Sequence, residues 1–160
     1  MIAAKNSIIV DTITRIMVPF IQIFAFYVIF HGHYSPGGGF QGGALLAGSV
    51  LLQRVVLGRQ RSQIGFPTSW GIPFGAVGIL LFAGTGLWAM LSGGNYLQYD
   101  HLPLGMTPDM LRNWGILLVE IGVAFAVMGT LVSIYDDLVQ LERRPEDAEM
   151  HSAGESPEEA

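Results

Sequence analysis

The chain has 160 residues, of which 51% are hydrophobic and only 13% charged, with a net charge of −5 and a mean hydropathy of +0.46. A soluble domain carries about 25% charged residues, so this composition excludes an ordinary water-soluble fold. The absence of cysteine removes disulfides, iron–sulfur clusters and thiolate metal sites, and an acidic excess gathered in the C-terminal tail, without a basic patch, argues against a nucleic-acid partner.

The charges divide the chain into spans. No Asp, Glu, Lys or Arg occurs between Arg15 and Arg54, nor between Arg61 and Asp100, and from Arg112 to Asp136 the only charge is Glu120. Uncharged apolar runs of this length read as membrane-spanning helices. The predicted fold class is therefore an all-α integral membrane protein of four transmembrane helices, with a Gly-rich break between the first two. The first helix is predicted over about Ile8 to Phe30, with Asp11 and Arg15 placed to pair at i, i+4 and Pro19 inside it. It is too long for the apolar core of a signal peptide and is expected to stay in the mature protein.

His-Gly-His-Tyr-Ser-Pro-Gly-Gly-Gly-Phe-Gln-Gly-Gly, residues 31 to 43, then interrupts the helix. The second span is short: Phe40 to Gln53 supplies 14 residues, about 21 Å against a hydrocarbon core of about 30 Å. Either Arg54 snorkels while the helix runs on to Leu57, or the glycine segment itself enters the membrane. The third span covers about Trp70 to Leu91, with Pro73 in its first turn and a Gly71/Gly75 small-residue pair. A connection carrying Tyr96, Tyr99 and, just beyond it, Trp114 as interfacial aromatics leads to Thr107-Pro108, which reads as the cap and first residue of a fourth helix reaching about Leu141. Gly115, Gly122 and Gly129 recur every seven residues along it and form a smooth packing stripe, within the chain or against another subunit. Gly43/Ala47 and Ala44/Gly48 read the same way.

Four spans put both termini on one side. Lys5, Arg15, Arg54, Arg59, Arg61, Arg143 and Arg144 share that side and only Arg112 lies opposite, so both termini are expected in the cytoplasm. Two regions follow, a transmembrane domain over 1–142 and an acidic tail over 143–160 expected to be disordered.

Few residues carry chemistry. The formal G-x-G-x-x-G of Gly37, Gly39 and Gly42 lacks the preceding strand and following acidic residue of a dinucleotide site and reads as a by-product of glycine density. His31 and His33 have only Asp100, His101 and Asp109 on their side, too few for a structural metal centre, so neither metal nor cofactor is expected. Their other reading is proton or cation handling, because imidazole titrates near neutral pH. Glu120 is the sharpest candidate. An intramembrane carboxylate is costly when charged and unpaired, and such residues mark ion or proton paths. Its plainer reading is a carboxylate bonded to a neighbouring helix. Asp136 and Asp137 read as a solvated helix end, and Gln22 and Thr85 as polar side chains bonding locally.

With these residues in place, the chain resembles the B-type small component of the multisubunit Na+/H+ antiporters of the Mrp (Mnh) type. The resemblance rests on "HGHYSPGGGFQGG" after an apolar helix and on "VEIGVAFAVMGTLVSIYDDL" in the last span, and covers about residues 8 to 140. It implies a non-redox subunit of a hetero-oligomeric cation/proton antiporter in a prokaryotic cytoplasmic membrane, with other membrane subunits, lipid, Na+ and H+ as its partners. In such complexes larger subunits resembling respiratory complex I carry the main proton channels, and small subunits form a neighbouring module in which sodium passage is often placed. The same module is built into membrane-bound hydrogenases and sulfur reductases. The motif carries over onto His33, Pro36, Gly37, Gly38, Gly39, Phe40, Gly42, Gly43 and Glu120. Readings from other classes are a redox subunit whose His31 or His33 contacts haem or quinone, and a purely structural scaffold.

Overall fold

The computed structural model describes residues 8–32, 37–58, 62, 65–101 and 105–154, with side chains in the last helix as far as 141. Among the described residues every regular element is helical. α1 spans Ile8–Phe30, α2 Gly39–Leu57, α3 Gly71–Leu91 and α4 Pro108–Gly154. Short 3-10 turns at Thr68–Trp70 and Tyr99–His101 flank α3. All four helices are long and apolar enough to cross a membrane.

The boundaries follow local chemistry. α1 begins where Thr12 returns its hydroxyl to the Ile8 carbonyl at 2.8 Å and Arg15 reaches Asp11 at 3.2 Å, the expected i, i+4 pair. α2 starts at the glycine break and runs past Arg54 to Leu57, so its 19 residues give about 28 Å, enough to span. α4 opens as expected at Thr107-Pro108, with the Thr107 carbonyl accepting from Leu111 N–H at 3.0 Å. Its backbone continues through the start of the acidic tail to Gly154.

The helices do not close into a bundle. α1 packs on α2, α2 on α4 and α4 on α3, while α1 only grazes α4 and, among the described residues, α3 touches neither α1 nor α2. The result is an open row in the order α1–α2–α4–α3. Apolar burial gives helices little reason to associate in lipid, because acyl chains are equally apolar; close backbone approach and interhelical polar contacts decide instead. Accordingly the seams are built from small residues. Gly42 faces Ala25 and Ile29 of α1, Gly43 faces the backbone of Ala124 in α4, and Gly71, Gly75 and Gly78 of α3 meet Gly122, Ala126 and Gly129 of α4. The heptad stripe Gly115, Gly122, Gly129 is thus used inside the chain: Gly115 lies under the Tyr99 ring and the other two under α3. Ala44 is half-buried and Gly48 exposed, with open space where its Cβ would stand, so that pair forms no seam within the chain.

The buried core lies where α1, α2 and α4 meet, at Ala25, Ile29, Leu46, Ala47, Val50, Ala124, Met128 and Val132, closed by Phe66. No more than 39% of the most apolar window of any span is buried, so most of each helix is left for lipid or for other chains. Between α1 and α3 the row leaves a cavity of about 600 Å³, reached by Gln22 and Phe26 on one side and Trp70 and Phe74 on the other.

Candidate functional site

α4 presents one ladder of residues to α2: Glu120, Ala124, Met128, Val132 and Asp136, each four places after the last. Residues four apart are neighbours on a helix surface, and a row of them drifts by about 40° per step, so a partner helix follows it by crossing at an angle. Ala124 and Val132 are fully buried and Met128 nearly so, and the two ends of the ladder are the only acids on it.

At the first end, Glu120 lies where the chain leaves α1 and enters α2. A Cβ added to Gly32 would stand 2.6 Å from the Glu120 Oε1 and 2.6 Å from the Gly38 Cα; one on Gly38 would stand 3.5 Å from the same Oε1. The carboxylate therefore rests against bare backbone contributed by both sides of the break. Gly38 has φ +140°, a conformation L side chains rarely adopt, which fixes glycine there. Gly39 abuts the backbone carbonyl of Glu120 itself, and a Cβ on Gly43 would lie 2.6 Å from the Ala124 oxygen. Two consecutive turns of α2 thus press backbone to backbone on α4. Glu120 stands at the first turn of α2, the electropositive end of that helix.

Tyr99, outside the spans, closes this end. Its ring covers Gly115, and its phenol is pushed above the ordinary value by burial first, then by the negative charge of Glu120 and by Tyr96. Tyr96 in turn covers Gly86 of α3. The tyrosines read from the sequence as interfacial aromatics are therefore lids on glycines.

The other expected site residues divide. Gly37 packs near Val28, Gly42 faces α1, and Phe40 points outward at 66% exposure. His31 is exposed at the end of α1, with Nδ1 3.2 Å from the Tyr27 carbonyl and its ring stacked on Tyr27 at 4.3 Å. His33 and Pro36 lie outside the described residues. Among the described residues no group of three or more His, Asp or Glu is placed to hold a metal ion.

At the far end of the ladder the structure corrects two expectations. Asp136 is not a solvated helix end, and Arg54 does not snorkel. They form an ion pair across the α2–α4 seam, with side chains 3% and 1% exposed respectively. Arg54 also donates from Nη2 to the Phe66 carbonyl at 3.1 Å, so one guanidinium joins α2, α4 and the segment leading to α3. Removing either partner would strand the other as a buried charge, at about 3–5 kcal/mol. Asp137, by contrast, is exposed. Gln22, expected to bond locally, instead reaches Ser49 of α2 at 3.3 Å, whereas Thr85 does bond locally, to the Leu81 carbonyl at 2.8 Å. A signal for the Arg54–Asp136 pair was present in the sequence. Asp136 continues the four-residue ladder that starts at Glu120, four steps further along the same helix.

Comparison with known proteins places the chain in a family. Residues 9–133 match the family described as a domain related to the MnhB subunit of Na+/H+ antiporter. The B-type subunit of the Na+/H+ antiporter of Alkalihalophilus pseudofirmus is 33% identical over 142 residues, covering 84% of this chain and 96% of that protein. The putative antiporter subunit mnhB2 of Staphylococcus aureus strain Newman is 28% identical over 131 residues, covering 81% of this chain and 92% of that protein.

Proposed function

From the premise that the chain belongs to the MnhB-related family and is a membrane subunit of a multisubunit Na+/H+ antiporter, we propose that Glu120 lies in or beside the path taken by the transported cation or proton. The observation that carries this is the position of its carboxylate. It is the one charged group between Arg112 and Asp136, it sits at the break between α1 and α2, and the backbone it rests against there is bare glycine. A carboxylate there can bind a cation or a proton in exchange, beside the electropositive first turn of α2.

On this reading the break and Glu120 face the outer side, the Arg54 end and both termini face the cytoplasm of a prokaryotic cell, and His33 and His31 are further candidates for proton handling. The open row supplies long apolar faces for lipid and other antiporter subunits. The subunit acts without redox chemistry of its own, also where a hydrogenase or reductase arm is attached to the complex. The acidic tail beyond 142 takes no part in the transmembrane domain.

The test is antiport in inverted vesicles holding the whole complex, with Glu120→Gln at normal complex abundance. Loss of about tenfold or more per assembled complex is expected, the weight of a charge-assisted contact. Unchanged activity and cation affinity would remove Glu120 from the path. A scaffold role instead predicts that the same substitution lowers assembly and leaves transport per assembled complex intact.

A further inference from the structure

The α2–α4 seam has a weakness that its small residues create. The two helices run the same way, since Gly39 meets Glu120, Gly43 meets Ala124 and Arg54 meets Asp136. Each contact joins a residue of α2 to the one 81 or 82 places later, a constant register. Now let α2, with α1 attached, slide one turn along α4, about 5.4 Å. Gly43 then stands at Glu120 and Ala47 at Ala124, small residue for small residue. Backbone approach opposes the shifted register only by the Ala47 methyl, which would meet the Ala124 backbone where a Cβ on Gly43 would lie 2.6 Å from its oxygen; otherwise the small-xxx-small pattern repeats every turn. The functional consequence is large. In the shifted register Glu120 faces the continuous helix at Gly43, and the Gly32–Gly38 break no longer lies against its carboxylate.

A second contact on the seam opposes the slide more strongly. A one-turn slide carries Arg54 away from Asp136 to the level of Val132, which is fully buried, and leaves two charges without compensation in a dry interface. It also breaks the Arg54 bond to the Phe66 carbonyl. Buried polar contacts are best attested in this role, fixing register rather than adding stability.

We propose that the buried Arg54–Asp136 ion pair is the register lock of the α2–α4 seam, and through it a positioning pair for Glu120 at the seam's other end. The positioning part rests on the reading of Glu120 given above; the lock does not. The pair and the carboxylate are about 24 Å apart along α4, sixteen residues at 1.5 Å each, and the rigid helices between them transmit the placement.

The chain has no cysteine of its own, so register can be read by engineered pairs within the assembled complex, with intrachain disulfides detected by peptide mass spectrometry. Ala47→Cys with Met128→Cys reports the observed register, and Ala47→Cys with Ala124→Cys reports the shifted one. With Arg54 and Asp136 intact, the first pair is expected to dominate. Asp136→Asn should raise the shifted cross-link and, in the complex without the engineered cysteines, raise the KM for Na+ roughly three- to tenfold with a smaller change in kcat, the size of effect coupled sites show. The exchange Arg54→Asp with Asp136→Arg should restore both readings. Should Asp136→Asn prevent assembly, the apolar pair Arg54→Met with Asp136→Leu removes both charges together; it is expected to assemble yet to give both cross-links.

A complex carrying the apolar pair that still shows only the observed register overturns the lock. Shifted cross-links with an unchanged KM overturn the positioning role and leave the lock standing. Glu120→Gln with normal transport sinks the reading of Glu120 without altering any cross-link result, so the two failures are distinguishable.

Discussion

α4 packs on two neighbours by two different designs. Toward α3 it shows Gly122 and Gly129, spaced by seven, and meets Gly71, Gly75 and Gly78 of α3 with no ion pair across the seam among the described residues. Toward α2 it shows residues spaced by four, small or apolar in the middle, with Glu120 at one end and Asp136 at the other. The first seam is packing only. The second joins packing to electrostatics, and it holds the intramembrane carboxylate, the glycine break and the buried ion pair. Similar backbone proximity therefore serves different ends, and substitutions of equal size should separate them.

The largest contrast is expected between Gly43→Val and Gly129→Val. Each new Cβ would stand 2.6 Å from a backbone oxygen, of Ala124 in one case and of Gly71 in the other. Backbone cannot yield as a flexible side-chain tip does, so each should destabilise by about 1–3 kcal/mol. Gly43→Val should also lift α2 from Glu120 and lower antiport per assembled complex. Gly129→Val should lower the amount of complex recovered and leave antiport per complex unchanged. Quantifying complex by blotting alongside vesicle transport checks both, and equal transport losses would erase the distinction between the seams. The smallest effect is expected at Gly48, where nothing lies within 4 Å of an added Cβ. There Gly48→Ala should leave transport intact and raise thermal stability by up to ~1 kcal/mol through helix propensity alone; a loss of assembly would show that another subunit covers this face.

Much of the fold was legible in the sequence. The described extent of α1 matches the expected span of about Ile8 to Phe30, and the opening of α4 at Thr107-Pro108 followed from cap chemistry. Glu120 stood out because charge is costly in a span. Arg54 and Asp136 did not. Each lies near a helix end, where solvent is the ordinary partner of a charge, and nothing local says that two such ends will be brought together. The same holds for Gln22, whose partner Ser49 belongs to another helix.

The sequence by itself determined that four helices are apolar and long enough to cross a membrane, about where they start, and that Glu120 is left inside one of them. These are properties of single segments, set by hydropathy, by capping and by the cost of a buried charge. Only the tertiary structure decided which small-residue stripe meets which, that the glycine break lies against Glu120, and that Arg54 and Asp136 are partners. Pairings between segments depend on how backbones dock, and a stripe of small residues permits several dockings until a specific buried contact selects one.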